Sequence, residues 1–331
     1  MKKVSYVNLK KAGLFIGILL AASAVVFMVL FYPGYRHDMN NAREQLLTGS
    51  QVIETASGPI EYADVGEGYP VLVIHGAGGG YDQGLILAQA YIGDDFRLIA
   101  VSRFGYLRTP LPDNASPAAA ADAYADLLDE LNISRAAVVG VSRGGPSSLQ
   151  FALRHPNRCS SLVMRSAISH TPQKESFTQK IIFNTIFRSD FVFWLITTKF
   201  ESSLISTFGV PPEVQANLTP AEKEWVSEFL KSMHPMSLRK AGIYNDRKYN
   251  VYDYPIERIT APTLVIHAED DTLVSFTHGQ YTAQNIPGAR LIKFKSGGHF
   301  LVGQQEKVRL EVAEFLKSST MELSRGNTTS I

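Results

Sequence analysis

The sequence predicts an α/β protein: a mostly parallel sheet covered by helices on both faces, interrupted by a helical insertion and preceded by one membrane-crossing helix. Three observations carry this expectation. Short uninterrupted apolar runs recur along the chain with helical stretches between them, the pattern of strands buried on both faces. The alternation breaks between about residues 170 and 255, where strand patterns vanish and aromatic residues crowd together. Near the amino terminus, 21 consecutive residues, 12–32, carry no charge.

The uncharged segment comes first. As a helix it spans roughly 31 Å, enough to cross the apolar part of a bilayer. Lys2, Lys3, Lys10 and Lys11 precede it, whereas Arg36 and Arg43 follow it mixed with Asp38 and Glu44. That lysine excess places residues 1–11 in the cytoplasm and the rest of the protein outside. The competing reading is a signal peptide cut near Ala24, because Ala22-Ser23-Ala24 is an acceptable small-residue cleavage site. A signal peptide turns polar near its cut, but here the apolar run continues from Val25 to Phe31, which favours an uncleaved anchor. Residues 33–50 are polar and of mixed charge, and read as a linker or a short helix leaving the membrane.

The main domain is expected over 51–318. Ile60–Val65 alternates loosely between apolar and polar, as a half-buried strand does, and Gly66, Gly68 and Pro70 turn the chain. Val71–Ile74, Phe96–Val101, Ala136–Val141, Ser161–Met164, Thr263–Ile266 and Arg290–Phe294 follow as strands. Between them the clearest helix runs from Pro117 to Leu131, with Ser116 as N-cap and Pro117 at the first helical position. The insertion at about 170–255 holds Phe177, Phe183, Phe187, Phe191, Phe193, Trp194 and Phe200. These rings build the insertion's own core, and some of them line a pocket beneath a lid. Residues 319–331 form a polar tail expected to fray.

Composition limits the function. A 45% hydrophobic, 19% charged chain has a sizeable core, and a net charge of +1 argues against a nucleic-acid partner. The single cysteine, Cys159, cannot form an internal disulfide and reads as a small buried residue with no Cys or His grouping around it.

The chemistry is concentrated in three places. Gly140-Val141-Ser142-Arg143-Gly144-Gly145 follows a buried strand and opens a helix. This is a Gly-x-Ser-x-Gly nucleophile elbow, in which Gly140 and Gly144 remove side chains that would clash in the sharp turn. A serine hydroxyl needs an adjacent base. Of the eight histidines, only His299 sits in a glycine loop after the last strand, Gly297-Gly298-His299. The acid that orients it is expected after the penultimate strand, where Glu269, Asp270 and Asp271 stand in a row. Asp271 fits best, followed as it is by Thr272-Leu273-Val274; Asp270 is the alternative, and Glu269 is read as facing solvent. An oxyanion hole needs two backbone N–H groups. One comes from Arg143, next to the nucleophile. The other comes from the loop His75-Gly76-Ala77-Gly78-Gly79-Gly80, with Ala77 as first choice and Gly78 as second. A dinucleotide fingerprint in that loop fails on spacing, since position 81 is tyrosine. His75 is expected to hold the loop by hydrogen bonds.

From about Val52 to Lys317 the chain resembles the α/β-hydrolase superfamily. His75-Gly76, Ser102-Arg103-Phe104-Gly105-Tyr106, the elbow, the acid turn and Gly298-His299 occur in family order. The resemblance implies an eight-stranded, mostly parallel sheet with a helical cap inserted after the sixth strand. It implies acyl transfer to water through Ser142, His299 and Asp271, on a small-molecule acyl substrate, with no metal or organic cofactor. Ala268, where glycine is usual, and Arg143, where neutral residues are common, depart from the pattern; Arg143 either forms a surface ion pair or meets an anionic substrate group. A serine nucleophile argues against the dehalogenase and epoxide hydrolase members, which use aspartate. A carboxylic ester of a fairly apolar substrate is the preferred bond. Carbon–carbon bond hydrolysis comes second, and a non-catalytic binding protein on the same scaffold third.

Overall fold

In a computed structural model, the structure describes residues 2–171, 185–249 and 253–328. One eight-stranded sheet lies among them: β1 (Gln51–Thr55), β2 (Gly58–Val65), β3 (Tyr69–Ile74), β4 (Phe96–Val101), β5 (Ala136–Val141), β6 (Cys159–Arg165), β7 (Thr263–Ala268) and β8 (Arg290–Phe294). Their spatial order is β1-β2-β4-β3-β5-β6-β7-β8. The pairs β1–β2 and β2–β4 are antiparallel and the remaining pairs parallel. Every residue of β5, β6 and β7 is buried, which is why β5 reads as an unbroken run of small and apolar residues and β6 and β7 have apolar centres. β1 is an edge strand with mostly exposed residues, and its sequence carries no such signal.

Helices cover both faces. α2 (Tyr81–Tyr91) and the last helix of the chain (Gln305–Thr328) pack with Val71, Val73, Val139 and Leu264 on one side. α3 (Pro117–Glu130) and α4 (Gly145–Arg154) pack with Leu72, Ile74, Val138 and Val265 on the other. Consecutive strand residues thus feed opposite cores, as the two-residue period of a strand requires. α3 starts as expected: the Ser116 hydroxyl accepts from the Ala119 N–H at 3.2 Å.

The insertion after β6 is helical over its described part. It contains α5 (Asp190–Lys199), α6 (Glu201–Thr207), α7 (Pro212–Ala216), α8 (Pro220–Lys231) and α9 (Lys240–Lys248), followed after β7 by α10 (Thr277–Asn285) and after β8 by α11 (Gln305–Thr328). α8 opens with a capping box between Thr219 and Glu222. Phe177 and Phe183 lie outside the described residues. Phe193 and Trp194 are buried within the cap, whereas Phe200 is exposed.

Two ion pairs tie cap to sheet. Arg239, fully buried, donates to Asp82 at 2.7 and 3.1 Å, and Arg103 pairs with Asp246 of α9. Two backbone hydrogen bonds run beside them, Gly242 N–H to Gly105 O and Leu107 N–H to Leu238 O, both 2.8 Å.

By its internal contacts the chain divides into two units, residues 1–45 and 46–331. The first is part of α1 (Lys2–Thr48), a single helix. Of the two readings of residues 33–50, a linker or a short helix, the structure has helix: α1 continues to Thr48 with Pro33 inside it. At the other end α11 runs on to Thr328, so residues 319–328, expected to fray, are helical.

Candidate active site

Ser142 follows β5 directly, as the first residue of a 3-10 turn, with φ at +51°. This left-handed backbone costs a non-glycine residue about 1–2 kcal/mol. It is held in place because the Ser142 carbonyl accepts from the N–H groups of Gly145 and Ile168. The elbow glycines are required, but not because they would strike one another. A Cβ on Gly140 would lie 2.3 Å from the Ser148 hydroxyl, and one on Gly144 would lie 2.4 Å from the Ile74 carbonyl.

The Ser142 hydroxyl lies 3.1 Å from His299 Nε2, and His299 Nδ1 lies 2.8 Å from Asp271 Oδ2. A carboxylate only accepts, so Nδ1 donates to Asp271 and Nε2 is left to accept from the serine. The other Asp271 oxygen accepts from the N–H groups of Leu273 and Val274, each at 2.9 Å. Burial alone raises the Asp271 pKa. The positive charge available at His299 and the hydrogen bonds from His267 and His299 outweigh it, and hold the carboxyl well below its usual range. Asp271 is therefore ionised throughout the neutral range.

The two neighbouring carboxylates do other things. Asp270 accepts from the N–H groups of Gly297 and Gly298, at 3.2 and 2.9 Å, and so fastens the loop that presents His299. Glu269 pairs with Lys293 at the surface. His299 is further fixed by its own N–H, which donates to the Gly209 carbonyl of the cap at 2.9 Å. Of the other histidines, His267 donates from Nε2 to the Val274 carbonyl at 2.9 Å and packs beneath the acid. His75 is fully buried; its Nε2 accepts from the Arg103 N–H at 3.0 Å, and its Nδ1 donates to the Gly76 carbonyl at 2.6 Å. Burial first, then the Arg103 charge, push its pKa well down, so it is a neutral strut of the loop.

Ala77 and Gly78 on one side and Arg143 on the other border the same cavity as Ser142 and His299. The Arg143 guanidinium donates to the Asp246 carbonyl at 3.3 Å. Among the described residues no cluster of histidine, cysteine, aspartate and glutamate could hold a metal ion. Cys159 is buried, and burial pushes its thiol up to about 12.

Residues 69–304 match the family described as the α/β hydrolase fold. The chain belongs to the α/β-hydrolase family. A solved relative, an α/β-hydrolase fold protein from Nakamurella multipartita, is 32% identical, covers 81% of this chain and 98% of its own, and superposes with a TM-score of 0.71. The 2-hydroxymuconate semialdehyde hydrolase of Pseudomonas putida is 28% identical over 240 residues, 72% of this chain and 83% of that protein. A bacterial membrane phospholipase A is 18% identical but covers 92% of this chain and 98% of its own, with a TM-score of 0.62.

The cavity of this hydrolase is about 230 Å³ and lies between cap and sheet. Leu87, Ile168, Phe208, Phe229, Leu273 and Phe300 make most of its wall apolar. Of the aromatic residues expected to line it, Phe187 does. Phe208 and Phe229, further along the cap, do so as well and were not singled out from the sequence. Among the polar lining residues that were missed are Arg165 at the end of β6 and His278 in α10, and only their position beside a buried strand and an acid turn could have pointed to them.

Proposed function

We propose that this hydrolase is a membrane-anchored serine esterase acting on a carboxylic ester with a fairly apolar acyl part. The observation that carries the reading is one hydrogen-bonded chain, Ser142 to His299 to Asp271, opening on a largely apolar cavity. Ser142 Oγ attacks the ester carbonyl carbon while its proton passes to His299 Nε2. Asp271 keeps the imidazole in the accepting tautomer and then stabilises the imidazolium. The carbonyl oxygen becomes an oxyanion facing the backbone N–H groups of Ala77 and Arg143. The carbon–oxygen bond to the alcohol breaks, and the alcohol leaves with the proton held by His299. Water, deprotonated by the same imidazole, then releases the acid from Ser142.

Anchoring rests on residues 12–32, where Leu14, Phe15, Ile18, Leu20, Val25, Val29 and Leu30 are exposed, and on the lysines that precede them. The catalytic domain then lies outside the cytoplasm. A second reading, hydrolysis of a carbon–carbon bond, is favoured by the likeness to 2-hydroxymuconate semialdehyde hydrolase and would use the same three side chains.

The nucleophile is tested by Ser142→Ala. Covalent labelling by a fluorophosphonate should vanish, and ester turnover should fall on the order of a millionfold, since removing such a serine disables the whole triad. Labelling that persists in the variant would remove Ser142 from the reaction. Nitrophenyl esters set against a vinylogous diketone acid discriminate the two bond types.

A further inference from the structure

Among the described residues three arginines are buried: Arg103, Arg165 and Arg239. Two of them face a carboxylate, Arg103 on Asp246 and Arg239 on Asp82. The third, Arg165, is 3% exposed and pairs with no carboxylate among the described residues. It ends β6 in register with Val141, the residue before the nucleophile, and lines the cavity that holds Ser142 and His299.

Among the described residues the polar neighbours of its guanidinium are uncharged. Nη2 donates to the Phe300 carbonyl at 2.6 Å, and Cζ stands 4.2 Å over the Tyr91 ring. Tyr91 is itself buried, and burial keeps its phenol neutral by raising its pKa. Nε is buried with no hydrogen-bond partner. Arginine does not escape burial by losing its proton, and a buried cation without a counter-charge is strongly unfavourable. A cation–π contact with one ring recovers only a small part of that cost. The protein maintains this cost at the wall of its reaction cavity, next to apolar side chains that give the cation nothing.

We propose that Arg165 is the anion subsite of this cavity, and that the preferred substrate carries a carboxylate at the end of its apolar acyl chain, remote from the scissile ester. The planar fork of a guanidinium matches a carboxylate, and a low-dielectric wall strengthens the pairing. The apolar surface of Leu87, Phe229 and Phe300 suits the methylene chain between the two ends. The inference rests on the ester reading for the bond that is cleaved, but the anion subsite itself does not require it.

The test compares two series of nitrophenyl esters of equal chain length, one ending in methyl and one in carboxylate, with chains long enough not to cyclise. The wild-type enzyme should favour the carboxylate series in kcat/KM by about tenfold or more. In Arg165→Met the ratio of the two series should fall by about thirtyfold, the loss expected when one side of a buried charge pair is removed. Arg165→Lys should restore part of the ratio. No preference in the wild type, or an equal loss on both series in Arg165→Met, would overturn the subsite and leave Arg165 a support for the Phe300 loop.

Binding is read separately by calorimetry on the full-length Ser142→Ala protein with an α,ω-dicarboxylate and the matching monocarboxylate. Tighter binding of the dicarboxylate that disappears with Arg165→Met supports the subsite even where no ester is turned over; in that case the ester reading alone falls. Equal affinity for the two acids counts against the subsite whatever the enzyme hydrolyses.

Discussion

At the scale of single residues, the three consecutive carboxylates Glu269, Asp270 and Asp271 have three separate tasks. Asp271 supplies one oxygen to His299 and the other to the N–H groups of Leu273 and Val274. Asp270 grips the N–H groups of Gly297 and Gly298, the residues that aim His299. Glu269 meets Lys293 in solvent. Asp271→Asn should lower kcat by about three to four orders of magnitude, because the imidazole loses its tautomer and its counter-charge. Asp270→Asn should cost about tenfold to a hundredfold through a displaced His299, since small misplacements of a catalytic group are expensive. Glu269→Gln should change kcat by less than about tenfold, an exposed ion pair being worth little. Steady-state hydrolysis of a short nitrophenyl ester by the three purified variants, each checked by circular dichroism, decides the order; a severe Asp270 variant beside a mild Asp271 variant reverses the assignment. The sequence pointed to this turn and favoured Asp271. It carried no sign of what Asp270 does, because that task depends on two backbone N–H groups 27 and 28 residues away.

At the scale of elements, strands buried on both faces were legible and contacts between distant elements were not. β5 and β7 announce themselves by residue type alone, since a strand with two buried faces tolerates little else. β1, half in solvent at the sheet edge, carries a polar mixture and was not seen. The cap could be located as a gap in the strand pattern, but its fastening could not. Arg103 and Asp246 are 143 residues apart, and their pairing also takes in the Tyr106 hydroxyl, which donates to Asp246 at 2.6 Å. The Arg103 N–H in turn holds His75 and with it the Ala77 loop. Sheet, oxyanion loop and α9 therefore share one buried network. Asp246→Ala should leave Arg103 buried without its partner and cost about 3–5 kcal/mol in global stability, measured by urea unfolding. A loss below about 1 kcal/mol would mean that water reaches the pair and that the cap is held by its apolar contacts instead.

At the scale of the whole molecule, the hydrolase domain and the first part of α1 are built on different rules. Residues 46–331 bury apolar side chains in two cores on either side of a sheet, whereas Leu14, Phe15, Ile18, Leu20, Val25, Val29 and Leu30 of the first unit are exposed all round the helix. Such a surface is stable in lipid and not in water. The match to the hydrolase family covers residues 69–304 and does not include the apolar stretch. These facts yield a paired expectation. The full-length protein should sediment with membranes, resist extraction by high salt and be released by detergent, because a span of this length is held by hydrophobic burial rather than by surface charge. Removal of residues 1–32 should move the protein to the soluble fraction with kcat/KM for a short water-soluble ester within about threefold of the parent. Reporters fused after Lys317 fix the side: a periplasm-active reporter should work and a cytoplasm-active one should not, as the lysines at 2, 3, 10 and 11 require. The mature amino terminus, read by mass spectrometry, separates the anchor from its rival. A soluble, active product beginning just after Ala24 would replace the anchor with a cleaved signal peptide, and recovery of the intact terminus in the membrane fraction would exclude that cut.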